Sequence, residues 1–242
     1  MKHFYISVTF LILIQNIFAQ DTIQINFDRD WKKVENGENV VYYRKLFKTG
    51  KLWYAKDYYL NGKLQMEGSF RNKKCTKNHG EFIYYFENGN VDRKGKYFKN
   101  KYEGIWCWYH LNGNKSSEEL YSKGKRIKVE YWDSNGIKVD SADGEHKARF
   151  NGSEQGFREY VGANLKYPSS DEKAGIEGRV FIGFVIEIDG SLTYAHVIRS
   201  AEYELDKEAL RVIQSSPKWE PAKLHNRLVR IDYVFPVTFI LK

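Results

Sequence analysis

Two stretches of the chain, GEFIYYFENGN (80–90) and GIWCWYHLNGN (104–114), share one arrangement of glycine, aromatic residues and an Asn-Gly pair. In both stretches the aromatic side chains alternate along the chain, and the alternation stops at the Asn-Gly pair. This period of two predicts a β-strand that runs into a hairpin, with Asn and Gly as the two positive-φ residues of a type I′ turn.

The strand-and-turn pattern belongs to an array. Asn-Gly pairs with an aromatic residue at one fixed offset recur about every 25 residues, as they do in repeat proteins. The aromatic residue four places before each glycine is Tyr58, Tyr85, Tyr109 or Trp132. Second strands are predicted after the first three turns, at 64–70, 91–98 and 115–121. Because one hairpin cannot bury its rings alone, successive hairpins are expected to pack together.

These glycine, aromatic and Asn-Gly positions resemble MORN-like repeats of the variant found in exported bacterial proteins, over residues 46–140. The resemblance implies an all-β array that acts as an interaction scaffold. Residues 20–45 are predicted to form an N-terminal strand segment ahead of it, and the polar residues 141–149 a linker behind it.

The last hundred residues show a different pattern. The stretch GRVFIGFVIEIDG (178–190) is almost wholly apolar before its Asp-Gly turn, which predicts a strand buried on both faces. Residues 192–199 are predicted to return as its partner. Residues 229–241 alternate between apolar and polar side chains, and Pro236 lacks an N–H, so this strand is expected at a sheet edge.

Two helices are predicted to cover one face of this three-stranded antiparallel sheet. The first spans 153–165 and ends before a Tyr-Pro pair. The apolar face of the second is formed by Leu205, Ala209, Val212 and Ile213. The predicted fold class is therefore α+β, with an all-β hairpin array followed by a small domain at 150–242.

The motifs AGIEGRVFIGFVIEIDGSL, LDKEALRVIQSSPKWEPA and VRIDYVFPVTFIL resemble the C-terminal domain of TonB in its Bacteroidetes-type version. This resemblance implies a periplasmic module that binds peptide segments of outer-membrane transporters. A strand edge suits that role chemically, because an extended peptide can add to it as a further strand. The residues expected to bind the peptide are Val229, Arg230, Ile231, Asp232, Tyr233 and, from the resemblance, Tyr167 and Pro168.

Two of these assignments have structural alternatives. Tyr167 and Pro168 would also be explained as the end of the first helix. Arg230 and Asp232 would also be explained as outward charges that protect the sheet edge from aggregation.

The amino-terminal stretch MKHFYISVTFLILIQNIFAQ (1–20) has a lysine, a short apolar run and a small residue, Ala19, at its end. These features predict a secretory signal peptide at 1–19 and a periplasmic protein. The apolar run is shorter than the about 20 residues that cross a bilayer. An uncleaved signal that anchors the protein in the inner membrane is the alternative.

Composition narrows the remaining functions. The net charge is +8, but the lysines are scattered among aromatic residues, as on the wet face of a sheet, so no nucleic-acid partner is expected. No motif for a nucleophile, a metal or a cofactor appears, and neither an enzyme nor a cofactor is expected. Export would allow Cys75 and Cys107 to form a disulfide, although their spacing does not determine their distance.

The sequence thus predicts a non-enzymatic envelope protein that binds an outer-membrane transporter or another envelope protein. One alternative is a TonB-type energy transducer for outer-membrane transport with a retained N-terminal anchor. Another is a carbohydrate-binding or hydrolytic surface protein that uses the aromatic repeats.

Overall fold

The computed structural model describes residues 22–35, 39–140 and 144–241. The predicted signal peptide and part of the predicted linker lie outside the described residues. The chain forms two compact units, of which the first comprises the described residues up to 89 together with 96–101. The second comprises 90–95 and the described residues from 102 onward.

The first unit is an antiparallel arrangement of short strands. They are β1 (Ile23–Phe27), β2 (Lys33–Val34), β3 (Tyr42–Thr49), β4 (Leu52–Tyr59), β5 (Leu64–Phe70), β6 (Asn78–Tyr85) and the end of β7 (Val91–Phe98). From β4 to β6 each strand pairs with the one before it, while β1 lies between β2 and β3. The predicted strands 64–70 and 91–98 are present with those bounds.

The second unit begins with more strands of the same kind. They are the start of β7, β8 (Lys101–Tyr109), β9 (Lys115–Ser122), β10 (Lys125–Trp132) and β11 (Lys138–Val139). Strands β8 to β11 pair antiparallel in sequence order. The third predicted second strand, 115–121, corresponds to β9.

The Asn-Gly turns differ from the type I′ turns that the sequence predicted. In the turn after β8, the Gly113 amide donates to the His110 carbonyl at 2.9 Å, and the His110 amide donates to the Asn114 carbonyl at 2.7 Å. Gly113 has φ 92°, whereas the preceding Asn112 is not among the positive-φ residues. This is a three-residue loop, a type I turn closed by a left-handed glycine. The glycine alone therefore provides the left-handed residue of the turn.

Aromatic side chains of one strand fill the space above glycines of the strand before it. The ring of Phe82 lies over Gly68, and the ring of Trp106 lies over Gly95, where a Cβ atom would collide with it. Phe82 and Trp106 are both buried, and in β8 the predicted alternation is seen, with Trp106 and Trp108 buried and Ile105 exposed. The turns are also joined, since the Asn112 side chain donates to the Ser134 carbonyl at 2.8 Å.

The carboxyl-terminal part of the second unit is an α+β domain. Its elements are α1 (Glu154–Asn164), α2 (Ser169–Ala174), β12 (Gly178–Ile186), β13 (Leu192–Arg199), α3 (Tyr203–Gln214), β14 (Ala222–Leu224), β15 (Arg227–Val229) and β16 (Ile231–Phe239). Strands β13, β12 and β16 form a three-stranded antiparallel sheet with β12 in the centre, while β14 and β15 form a separate hairpin. The predicted fold is confirmed, with the short helix α2 and this hairpin in addition.

The core of this domain lies between the sheet and the helices. Ser153 caps α1 by accepting a hydrogen bond from the Gly156 amide at 3.0 Å. The four residues predicted for the apolar face of α3 are all fully buried. On β16 the odd-numbered residues from Phe235 to Phe239 face this core. The even-numbered residues therefore point to the opposite face of the sheet.

Candidate functional site

Strand β16 is the edge strand of the three-stranded sheet. Its nine residues pair with β12 without interruption, from Ile231 opposite Ile186 to Phe239 opposite Gly178. Within the part of the chain that the structure describes, no strand pairs with its other flank. The sequence prediction of an edge strand is confirmed, although the strand begins at Ile231 rather than Val229.

Pro236 indicates which backbone groups point to the open flank. A proline in a sheet is tolerated where its missing N–H would point away from the neighbouring strand. In an antiparallel strand the N–H and C=O groups of one residue point to the same side, and the side alternates from residue to residue. Pro236 alternates along the strand with three other even-numbered residues, Asp232, Val234 and Thr238. We therefore infer that the N–H and C=O groups of these residues also point to the open flank.

A cleft of about 670 Å³ lies beside the first residues of this edge strand. One wall is formed by Ile231, Asp232 and Tyr233, which are three of the residues predicted to bind a peptide. The rest of the lining comes from the segment 147–153 that leads into α1. The cleft therefore gives an extended chain access to the start of β16.

Two other predicted residues near the start of β16 are engaged elsewhere. Val229 belongs to β15 and pairs with Ala222. The Arg230 guanidinium lies 5.3 Å from the ring centroid of Tyr194, and its Nε atom is 3.4 Å from a carboxylate oxygen of Glu187. Arg230 thus extends over the face of the sheet toward β13.

The remaining predicted residues, Tyr167 and Pro168, lie at the other end of β16. The Tyr167 ring packs edge-on against Phe239 at a centroid distance of 5.6 Å, and its hydroxyl donates to the Ile176 carbonyl at 2.5 Å. Pro168 occupies the N-cap position of α2 without a side-chain capping hydrogen bond. At about 3.3 Å per residue, β16 separates this end from the residues of the cleft by about 20 to 26 Å. The predicted residues therefore mark the two ends of one edge rather than a single cluster.

Comparison with known proteins agrees with this fold. Residues 163–241 match the family model of the Gram-negative bacterial TonB protein C-terminal domain. Residues 163–241 form a TonB C-terminal domain. Ahead of it, residues 54–72, 78–100 and 102–123 match the MORN repeat variant. Both resemblances proposed from the sequence are confirmed.

Two solved structures are similar to the TonB C-terminal domain of this chain. Both are NMR solution structures of the Helicobacter pylori TonB C-terminal domain, and both are 27% identical to the matched part. The match to one of them covers 35% of this chain and 77% of the Helicobacter pylori chain, with a TM-score of 0.29. The other covers 36% and 92%, with a TM-score of 0.30. No match was found among curated proteins.

The hairpin β14–β15 connects the TonB C-terminal domain to the repeats of the second unit. The His225 ring stacks on Trp108 at a centroid distance of 4.0 Å and an angle of 11°. The Asn226 side chain donates to the Trp132 carbonyl at 2.6 Å. Arg227 forms an ion pair with Asp92. The turn residues His225 and Asn226 both have positive φ, as a type I′ turn requires.

A buried carboxylate stands at the centre of this connection. Glu119 of β9 is fully buried and accepts hydrogen bonds from Tyr121 at 2.6 Å and from Ser117 at 3.2 Å. His225 Nδ1 lies 2.5 Å from the same carboxylate. Arg126 donates to Glu119 at 3.3 Å. Sequence analysis missed this site, because Glu119 and His225 are 106 positions apart and neither belongs to a motif.

Hydrogen bonds keep the carboxyl groups of Glu119 and Glu145 ionised. Burial favours a higher pKa for Glu119, but hydrogen bonds from His225 and Tyr121 outweigh it and hold the pKa below its usual value. Glu145 pairs with both terminal nitrogens of Arg126, at 2.6 and 2.8 Å, and this hydrogen bonding lowers the pKa of Glu145. Both carboxylates are therefore charged at neutral pH.

Three of these residues also carry atoms that could bind a metal ion. One ligand atom each from Glu119, Glu145 and His225 lies within 4.8 Å of the others. However, the Arg126 guanidinium contacts both carboxylates, and its positive charge would repel a cation placed between them. The geometry therefore favours a closed network of hydrogen bonds over an open set of metal ligands.

Both cysteines are partly buried. Cys75 and Cys107 are both free thiols, and burial raises the pKa of each. Raised thiol pKa values reduce the thiolate fraction that reacts at neutral pH. A disulfide between them remains a prediction.

Among the described residues, no helix has the length and apolar character that crossing a bilayer demands.

Proposed function

We propose that this protein is a periplasmic binding protein whose TonB C-terminal domain takes up an extended segment of an outer-membrane transporter. The segment would add as a fourth strand along the open flank of β16. The observation that carries the proposal is the uninterrupted edge strand with its proline at position 236. The family match supports the choice of partner, since TonB is a protein of the Gram-negative envelope.

The proposed contacts are mainly backbone hydrogen bonds. Asp232, Val234 and Thr238 offer both a donor and an acceptor on the open flank, while Pro236 offers an acceptor only. Binding through these groups selects an extended conformation, and side-chain pockets would add sequence preference. Tyr167 and Pro168 would contact the segment only if it follows β16 over its full length.

Proline substitution on the open flank tests the binding mode. Val234→Pro removes one outward N–H, and the side chain of Val234 is 52% exposed on the outer face. Val234→Thr keeps the N–H and serves as the matched control. Fluorescence anisotropy with labelled peptides from the periplasm-facing segments of outer-membrane transporters is expected to show weaker binding to the proline variant alone.

A change in the peptide provides a second test that leaves the protein intact. Methylation of alternate backbone amides removes donors from the incoming strand without changing its side chains. Binding that survives both alternate methylation patterns and the Val234→Pro change would show that no strand is added at β16. Circular dichroism of each variant verifies that the domain is still folded.

Localisation is tested at the amino terminus. We propose that residues 1–19 are removed, so mass spectrometry of the mature protein is expected to give Gln20 as the first residue. An intact Met1 in the inner-membrane fraction would instead favour the energy transducer with a retained anchor.

A further inference from the structure

Basic side chains follow the open flank of β16. Lys147 and Arg149 line the cleft beside the start of the strand, and both are exposed. Farther along, the guanidinium carbon of Arg158 in α1 lies 5.7 Å from the ring centroid of Phe235. Three cations from the segment before α1 and from α1 itself therefore border this flank.

The acidic neighbour of Arg149 is Glu220, which lies opposite it in an antiparallel bridge, and the Glu220 carboxylate is 3.6 Å from His146 Nε2. None of the three forms an ion pair with a side chain that the structure describes. Asp232 is the acidic residue in the lining of the cleft. As an even-numbered residue of β16, Asp232 points its side chain to the outer face of the sheet. Phe235, whose ring lies beneath Arg158, faces the helices instead. Arg158 therefore carries a positive charge on the helix side of the flank, and Lys147 and Arg149 add two more beside the start of the strand.

From this arrangement we propose that the segment bound along β16 is acidic. The inference rests on the proposed function and specifies its partner as an extended peptide with carboxylates on the side that faces α1. Because side chains alternate between the two faces of a strand, the acidic residues would occupy every second position. The residues between them would lie beside the apolar Val234 on the outer face.

Three labelled nonapeptides test the charge preference with the full chain. Each alternates Val or Thr with a variable residue, which is Glu in the first peptide, Gln in the second and Lys in the third. One exposed ion pair changes affinity by a factor of about two to five. Replacing attraction by repulsion at two or three pairs is therefore expected to weaken binding of the Lys peptide at least about tenfold relative to the Glu peptide.

Charge reversal at the flank identifies the residues responsible. Arg149→Glu, and separately Arg158→Glu, are expected to reduce the preference for the Glu peptide to about twofold. Lys125→Glu is the matched control, because Lys125 is exposed on β10 and the change in net charge is the same. It is expected to leave the preference unchanged. Raising the salt concentration is expected to weaken binding of the Glu peptide and not of the Gln peptide.

The outcomes separate this inference from the proposed function. If the three peptides bind within twofold of one another, strand addition stands and the acidic preference is wrong. If Lys125→Glu reduces the preference as much as Arg149→Glu does, net charge and not the flank controls binding, which also overturns the inference. If none of the peptides binds, both proposals fail.

Discussion

Glu119→Ala should release the hairpin β14–β15 from the repeats of the second unit. The substitution removes a fully buried carboxylate that four groups contact: Ser117, Tyr121, Arg126 and His225. It leaves buried donors without an acceptor, and the stacked His225 ring loses the anion beside it.

The expected cost follows from burial. Removing one partner from a buried ion pair costs about 3–5 kcal/mol, because the remaining groups are left unpaired in a poorly solvated site. Here Arg126 keeps its two hydrogen bonds to Glu145, so its charge stays compensated. We therefore expect a loss of about 3 kcal/mol in the free energy of unfolding of the second unit.

The preceding residue provides a matched control. Glu118 lies on the opposite face of β9, where its side chain is 36% exposed and pairs with Lys115 at 2.5 Å. An exposed pair of this kind contributes up to about 1 kcal/mol. Glu118→Ala and Glu119→Ala therefore delete the same group from one strand, with expected losses that differ by about 2 kcal/mol.

Urea unfolding followed by tryptophan fluorescence measures both losses, and hydrogen exchange locates them. In Glu119→Ala the amides of residues 222–229 are expected to lose protection, whereas in Glu118→Ala they are expected to keep it. Equal losses of stability in the two variants would refute the argument. So would unchanged protection of the hairpin in Glu119→Ala.

Three further predictions concern acid stability and glycine packing. The pKa values of Glu119 and Glu145 are lowered by folding, so their contribution is complete above the unfolded value of about 4.3 and is lost as pH falls through the folded values. Urea midpoints are thus expected to drop below pH 4.3, and less steeply in Glu119→Gln. Gly95→Ala is expected to cost about 1–3 kcal/mol in urea unfolding, because the new methyl group meets the Trp106 ring. Gly162 lies within α1, and a methyl group added there would meet no other atom, so Gly162→Ala is expected to raise stability by about 0.5–1 kcal/mol; a loss there would contradict the packing argument.

The array and the terminal sheet were predictable because their signals are local. Strand β5 has the predicted bounds, since alternation and a glycine turn both lie within a dozen residues of it. The turn geometry was not predictable to the same level. Asn-Gly is compatible with a two-residue loop and with the three-residue loop found here, and the choice depends on how the flanking strands pair. Positive φ at both central residues occurs instead at Lys99 and Asn100, where no glycine marks the turn.

The hairpin β14–β15 shows where the sequence signal ends. Its strands have three residues each, too few for a period of two to be recognised. Its turn, His225-Asn226, contains no glycine, and the alternation of 229–241 conceals the break at Arg230. What holds the hairpin in place is a set of contacts with residues about a hundred positions earlier. Such contacts are fixed only when the strands have paired.

This hairpin also changes how the two recognised parts of the chain relate. Sequence analysis treated the repeats as a scaffold separated from the terminal domain by a linker. In the structure, Arg227 pairs with Asp92 and His225 stacks on Trp108, only four to six residues before the edge strand begins at Ile231. The repeats of the second unit therefore hold the start of β16, the end that lies beside the cleft. A cut near residue 140 would separate the binding edge from this support, because the supporting residues lie before it and β16 lies after it. Point variants in the full chain are therefore the informative test of the edge.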